Sequence, residues 1–181
     1  MNHCQRSIAA LLLTAVLCFL PSCGGDDSTA AGTDNGTATV DTEAQTEAVT
    51  LSAPELAAEL ASSCTFSEEL TQNDIYLANH PFGFAALTES LLSYTAYVPA
   101  GIIPEEVFVF ETATSDDTQA VVDKLNAYVE YQISEYSRYA AGQVPKLDDP
   151  VILTKDNLVV YVVSADNAGA KETAKGLLGI G

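Results

Sequence analysis

The feature that most constrains the fold is a run of four β-favouring apolar residues in the middle of the chain. Residues 107–110, Val-Phe-Val-Phe, lie between Glu106 and Glu111. Successive side chains of a strand point to opposite faces of the sheet, so a strand over 106–111 would carry apolar groups on both faces. It therefore requires either a central position with cover on each side or a deeply covered edge.

A long helix is predicted directly after this strand. Thr114 or Ser115 can cap it, two aspartates follow at its positive end, and apolar residues recur every three or four positions as far as Tyr136. This pattern predicts a helix over 116–139.

Four of the eight tyrosines fall on that helix: Tyr128, Tyr131, Tyr136 and Tyr139. A platform for stacking glycans is one interpretation of them. The helical spacing of Tyr128, Tyr136 and Tyr139 favours core packing with hydrated hydroxyls instead, and the absence of Trp weakens the glycan interpretation further.

The remaining elements follow from caps and turns. Ser52 and Glu55 form a capping box for a helix that ends near Ser63. Alternating residues predict a strand over 91–98, and Asp166 can cap a final helix through Leu178.

A hairpin is predicted near the end of the chain. Its strands, 151–154 and 158–163, flank a turn in which Asp156 and Asn157 tolerate a positive φ. The whole order of elements indicates an α+β two-layer domain over 51–181, in which an antiparallel sheet of about four strands packs against the long helix, with shorter N- and C-terminal helices.

The chain is strongly acidic, with 25 Asp and Glu against 7 Lys and Arg and a formal net charge of -18. No Lys or Arg occurs between Arg6 and Lys124. A nucleic-acid backbone must be neutralised by clustered basic side chains, so nucleic acid is excluded as a partner.

The N-terminus has the pattern of a cleaved secretory signal that ends in a lipidated cysteine. Residues 7–20 are almost wholly apolar but too few to span the hydrocarbon core as a permanent helix. Leu20, Ser22 and Cys23 then occupy the positions of a lipobox. We expect residues 1–22 to be removed between Ser22 and Cys23. The alternatives are an uncleaved anchor and a secretory signal cut elsewhere.

Acylation of the Cys23 thiol would then anchor the protein in the lipid bilayer, on the extracytoplasmic face of the cell membrane. The following residues, 23–50, hold six acids and no base and have few branched apolar side chains. Such a composition predicts a disordered acidic tether with a span of about 30 Å. The folded domain is expected to begin at Leu51.

Residues able to do chemistry are sparse beyond the signal. Cys64 lies on the apolar stripe of the first helix and is expected in the core. His80, which could in principle pair with Asp74, is expected in an exposed loop. Neither gives a catalytic residue, and no metal or cofactor site is expected.

The acidic doublets could supply paired carboxylates for work on glycans, but solvated ends of strands and helices are the favoured interpretation. The doublets are Glu68-Glu69, Glu105-Glu106, Asp116-Asp117 and Asp148-Asp149.

From residue 51 to residue 181 the chain resembles a family of small bacterial lipoproteins catalogued as domain of unknown function 4358. The resemblance rests on Phe66 with Leu70, on the strand over 106–110, on a helix that bears Gln132 and ends in Tyr136 and Tyr139, and on residues 157–166 of the closing hairpin strand. The resemblance implies a location at the membrane, through a lipid anchor, and the α+β architecture described above. It implies no activity, cofactor or catalytic residue.

These features together favour a non-catalytic, lipid-anchored binding or assembly module of the cell envelope, whose acidic surface would meet an envelope protein or a basic partner. Two alternatives stay open. One is an envelope hydrolase that acts on cell-wall glycan or peptide through carboxylates, and the other is an accessory to a small-ligand sensor. A concave pocket where acids and tyrosines converge would strengthen the hydrolase alternative.

Overall fold

The computed structural model describes residues 51–181, so Ser22, Cys23, the signal and the tether lie outside the described residues. The described part contains four α-helices, five strands and two 3₁₀ helices. They are α1 (Ala53–Ser63), β1 (Leu70–Gln72), α2 (Tyr76–Asn79), a 3₁₀ helix (Phe84–Ser90), β2 (Leu91–Pro99), β3 (Glu106–Thr112), α3 (Ser115–Tyr139), a second 3₁₀ helix (Ala141–Leu147), β4 (Val151–Lys155), β5 (Leu158–Val163) and α4 (Asn167–Leu178).

The five strands form one antiparallel sheet in the order β1-β2-β3-β5-β4. β3 and β5 lie at its centre, and β4 and β5 form the predicted hairpin, with Asp156 at a φ of 52° in the turn. The α+β class, the antiparallel sheet, the long helix and the shorter terminal helices are confirmed.

Both faces of the central strands are buried, because their side chains alternate between two apolar layers. Phe108 and Phe110 face α3, together with Val159 and Tyr161 of β5. Alternate valines of the same two strands pack on the other side against α1 and α4. They are Val107, Val109, Val160 and Val162.

The structure therefore has a third layer, whereas a two-layer domain was predicted. The apolar stripes of α1 and α4 cover the second face of the sheet, so of the two positions left open for β3 the structure has the central one. The fifth strand, β1, was not predicted, because three residues are too few to show an alternating pattern. Leu51, where the described chain starts, packs against the layer that contains α1 and α4.

The predicted helix caps are confirmed. The Glu55 carboxylate accepts a hydrogen bond of 3.0 Å from the Ser52 N–H, which completes the capping box of α1. Thr114 caps α3 by accepting from the Asp117 N–H at 3.2 Å, and Asp166 caps α4 by accepting from Gly169. None of the helices within 51–181 has the length and apolar character needed to cross a membrane.

Candidate functional site

The two glutamates at the start of β3 are buried, although a solvated strand end was expected there. Glu105 is 0% exposed and Glu106 is 2% exposed. Their partners come from segments far away in sequence, which is why the local pattern did not reveal the burial. The other three acidic doublets contain mostly exposed residues.

Glu105 is held by an ion pair beneath the second 3₁₀ helix. Its carboxylate accepts a hydrogen bond from Lys146 Nζ at 2.6 Å. It also accepts from the N–H and the hydroxyl of Ser67, at 2.5 and 2.6 Å. Burial acts to raise the pKa of Glu105, but these hydrogen bonds outweigh it and hold the pKa below its usual value. Glu105 is therefore a charged structural anchor.

Glu106 points to the other side, into the layer between the sheet and α3. Gln132 Nε2 donates to Glu106 Oε1 at 2.8 Å and to the Tyr128 hydroxyl at 2.9 Å. The Tyr161 hydroxyl donates to Gln132 Oε1 at 3.0 Å, and the Tyr128 hydroxyl lies 3.4 Å from Glu106 Oε2. The four side chains form one buried polar network.

Burial raises the pKa of Glu106 to about 8, and the hydrogen bonds from Gln132 and Tyr128 oppose that rise only in part. The carboxyl group is consequently protonated in most molecules at neutral pH. Burial and the neighbouring Glu106 also raise the pKa of Tyr128 and Tyr161, so both phenols stay neutral.

A surface cleft of about 130 Å³ opens directly above this network, between α2 and the second half of α3. Tyr128 and Gln132 belong to both the network and the cleft. The full lining comprises Tyr76, His80, Tyr128, Tyr131, Gln132, Glu135, Tyr136 and Tyr139. Five of the eight tyrosines of the chain thus converge on one small cavity.

Most neighbouring rings around the cleft are inclined to one another, whereas Tyr128 and Tyr131 are stacked at 6.4 Å and 20°. The Tyr76 and His80 rings lie 5.1 Å apart at 56°, and the His80 and Tyr131 rings lie 6.2 Å apart at 87°. At the far end, the Tyr136 and Tyr139 rings lie 5.3 Å apart at 44°. Rings at such angles surround a compact volume, whereas a flat ligand would require a coplanar platform.

His80 is a half-buried member of this aromatic cluster, so the prediction of an exposed loop histidine was wrong. It follows α2, and its ring packs edge-on against Tyr128 at 5.2 Å. Its Nδ1 accepts a hydrogen bond from the Phe82 N–H at 3.2 Å. Burial lowers the pKa of His80, so the ring is neutral at neutral pH. Asp74 does not pair with it and instead accepts from the Gln72 amide.

The charge of the cleft is negative. Glu135 supplies a carboxylate, and no Lys or Arg lines the cavity. Arg138, outside the lining, pairs with Glu135 at 3.0 Å but is 71% exposed, so water screens that pair strongly.

The sequence placed four of the cleft tyrosines on one helix but assigned them mainly to the core. Tyr128 and Tyr136 are buried as expected, whereas Tyr131 is half-buried and Tyr139 is 58% exposed. Cys64 is half-buried at the end of α1, where burial raises the pKa of its thiol. Residues 51–181 contain no group of three or more His, Cys, Asp or Glu side chains that could hold a metal ion.

The burial of two network residues, Glu106 and Gln132, could have been predicted from their positions in the sequence. Glu106 shares the strand face of Phe108 and Phe110 by its period of two. Gln132 lies four residues from both Tyr128 and Tyr136 on the buried stripe of α3. A polar residue at each of these positions indicates a buried hydrogen-bond partner.

Comparison with known proteins finds a similarity over the central part of the chain. No curated protein and no solved structure matches the chain. Residues 86–164 match the family model described as Domain of unknown function (DUF4358). The match runs from the first 3₁₀ helix to the end of β5, and it leaves out Phe66, Leu70, α1 and α4, over which the resemblance was also expected. It includes Glu106 and every cleft residue of α3, so the candidate site lies mostly within the part of the chain that is similar to DUF4358.

Proposed function

We propose that the protein is a non-catalytic ligand-binding module of the cell envelope, anchored in the extracytoplasmic face of the cell membrane through acylated Cys23. Its binding site is the tyrosine cleft between α2 and α3. The observation that carries the binding role is the convergence of five tyrosines, a neutral histidine, an amide and a carboxylate on one concave site.

Binding sites in proteins combine apolar or aromatic walls with a few polar groups of fixed position. The cleft meets this description, because Gln132 is held by Glu106 and Tyr161 while the tyrosine rings form the walls. Locked side chains give up little conformational freedom when a ligand arrives, which favours affinity.

A second shallow groove continues from the cleft and favours an envelope protein as partner. It shares Tyr76 and His80 with the cleft and extends along α2 past Asn79 and Pro81. Ile75, which also lines it, is 67% exposed. A protein partner seated in this groove would bury the exposed side chain of Ile75.

The alternative, a carboxylate-dependent hydrolase of cell-wall glycan or peptide, is favoured by Glu106, since a carboxyl group with a pKa near 8 could act as a general acid. Such an acid must reach the substrate within hydrogen-bond distance. Glu106 is 2% exposed and does not line the cleft, and Tyr128 and Gln132 lie between. The same cleft would also serve an accessory of a small-ligand sensor.

The anchoring is tested by metabolic labelling with an alkyne analogue of palmitate in a bacterial host, followed by membrane fractionation. We expect the wild-type protein to carry the label and to sediment with membranes. It should also be digested by protease added to cells whose cell wall or outer membrane has been made permeable while the cell membrane stays intact. The Cys23→Ser variant should lose the label, and Cys64→Ser is the matched control that should keep it. Label on the Cys23→Ser variant, or protection of the wild-type protein from the protease, would refute the proposed location and anchoring.

The absence of catalysis is tested on the same strains by measuring release of soluble cell-wall fragments. Overexpression of the wild-type protein should leave this release unchanged. An increase that disappears in both Glu106→Gln and Glu135→Gln variants would support the hydrolase instead.

A further inference from the structure

We propose that the tyrosine cleft binds a small organic ammonium group, of the size of a trimethylammonium head, by enclosing it in aromatic rings. The proposal rests on the cleft being the binding site, as proposed above, and it names the class of ligand.

The first support is the shape of the wall. Cations are attracted to the faces of aromatic rings, and quaternary ammonium groups are recognised by cages of several rings. Tyr76, Tyr131, Tyr136 and Tyr139 supply four rings around the cavity in addition to the buried Tyr128. Tyr76 and Tyr131 are inclined to the His80 ring between them, and Tyr136 is inclined to Tyr139, so most of the wall suits a rounded group better than a flat sugar.

The second support is size. A cavity needs roughly 10 to 15 Å³ on this measure to hold one water molecule, so the cleft, at about 130 Å³, has room for a small group of several atoms. An ammonium head of about five non-hydrogen atoms is of that order. Pockets for larger ligands run from about 300 Å³ upwards, which makes a whole sugar ring a poor fit.

The third support is charge. The carboxylate of Glu135 lines the cleft, and His80 is neutral because burial lowers its pKa. No Lys or Arg lines the cavity, and Arg138, which pairs with Glu135 from outside the lining, is 71% exposed and screened by water. The acidic body of the protein adds to the attraction.

The neighbouring part of the aromatic cluster already holds an ammonium group. Lys124 Nζ lies 4.4 Å from the centre of the Phe82 ring, and it donates a hydrogen bond of 3.2 Å to the Phe82 carbonyl. The Phe82 ring in turn packs against Tyr128 and Tyr131 at 5.2 and 5.3 Å. A ring that packs against two of the cleft tyrosines, without itself lining the cleft, thus stabilises a cation within the chain.

The test is a titration of the purified full-length protein with tetramethylammonium chloride, followed by tyrosine fluorescence and by calorimetry. The chain contains no Trp, so tyrosine emission is observed directly. Sodium chloride at equal ionic strength and tert-butanol, a neutral molecule of similar shape, are the control solutes. We expect saturable binding with a Kd on the order of 1 mM for tetramethylammonium, and at least tenfold weaker binding for tert-butanol.

Three variants assign the binding to the cleft. Tyr139 is 58% exposed, so its replacement should leave the fold intact. Tyr139→Leu should weaken binding about threefold, while Tyr139→Phe, which keeps the ring, should retain it. Glu135→Gln should also weaken binding about threefold. Its matched control is Glu172→Gln, because Glu172 forms the same kind of i,i+3 pair on α4, with Lys175 at 2.9 Å.

Equal binding of tetramethylammonium and tert-butanol would overturn the ammonium proposal, as would equal affinities of Tyr139→Leu and the wild-type protein. Saturable binding of N-acetylglucosamine without any response to tetramethylammonium would also overturn it, while supporting the cleft as a binding site. The palmitate labelling of Cys23 is independent of all these results, so failure of the ammonium proposal is distinguishable from failure of the proposed function.

Discussion

At the scale of single residues, two adjacent carboxyl groups have opposite electrostatic roles. Glu105 stays charged because Lys146 and Ser67 supply donors to it, whereas Glu106 is largely neutral because it meets only uncharged partners. Burial is nearly complete for both, so the difference comes from the hydrogen-bond donors that each one meets.

Removing Lys146, the partner of Glu105, should lower the free energy of unfolding. Lys146→Met leaves a buried carboxylate without its cation, and we expect the free energy of unfolding to fall by roughly 2 to 4 kcal/mol. Lys175→Met removes a lysine from an exposed pair and should change it by less than about 0.5 kcal/mol. Urea unfolding of both variants measures the difference, and equal losses would contradict a structural role for the Lys146–Glu105 pair.

At the scale of elements, α3 links the core to the cleft. Its buried stripe packs on Phe108 and Phe110, while its last turns present Tyr131, Glu135 and Tyr139 to the cleft. The packing of this stripe on the sheet therefore sets which side chains of the C-terminal half reach the site.

The cap of α3 is accordingly predicted to matter for stability. Thr114→Ala removes the acceptor of the Asp117 N–H, and we expect a loss of about 1 kcal/mol. Ser134→Ala, at an exposed position inside the same helix, is the control and should be neutral or slightly stabilising. Thermal unfolding monitored by circular dichroism distinguishes the two, and equal melting temperatures would refute the capping role.

The elements themselves were largely predictable because each is encoded by local chemistry. The caps at Ser52 and Thr114 and the turn at Asp156 marked boundaries that the structure confirms. β1 escaped prediction because its three residues pair with β2 without any pattern of their own. The cleft escaped it because Tyr76 and Tyr139 meet only through the tertiary fold.

At the scale of the whole molecule, Glu106 links stability to pH. Its pKa in the folded state, about 8, lies above the ordinary value of 4.5, so the folded state binds more protons than the unfolded state between these limits. Its contribution is fully present below about pH 4.5, and the free energy of unfolding should fall as the pH rises from there towards 8.

The variant Glu106→Gln should flatten this dependence, because the amide does not titrate in that range. Chemical unfolding at several pH values between 5 and 8 measures the slope, with Glu172→Gln, an exposed site, as control. A steep slope that persists in Glu106→Gln would show that another group causes it. Glu105 acts in the opposite sense and at lower pH, because its pKa is depressed on folding.

The position of Leu51 has a consequence for orientation. The described chain starts on the layer of α1 and α4, and the tyrosine cleft lies across the sheet, on the layer of α3. The sheet therefore separates the cleft from the place where the described chain enters the fold, so a ligand can reach the cleft without passing the segment that leads into α1.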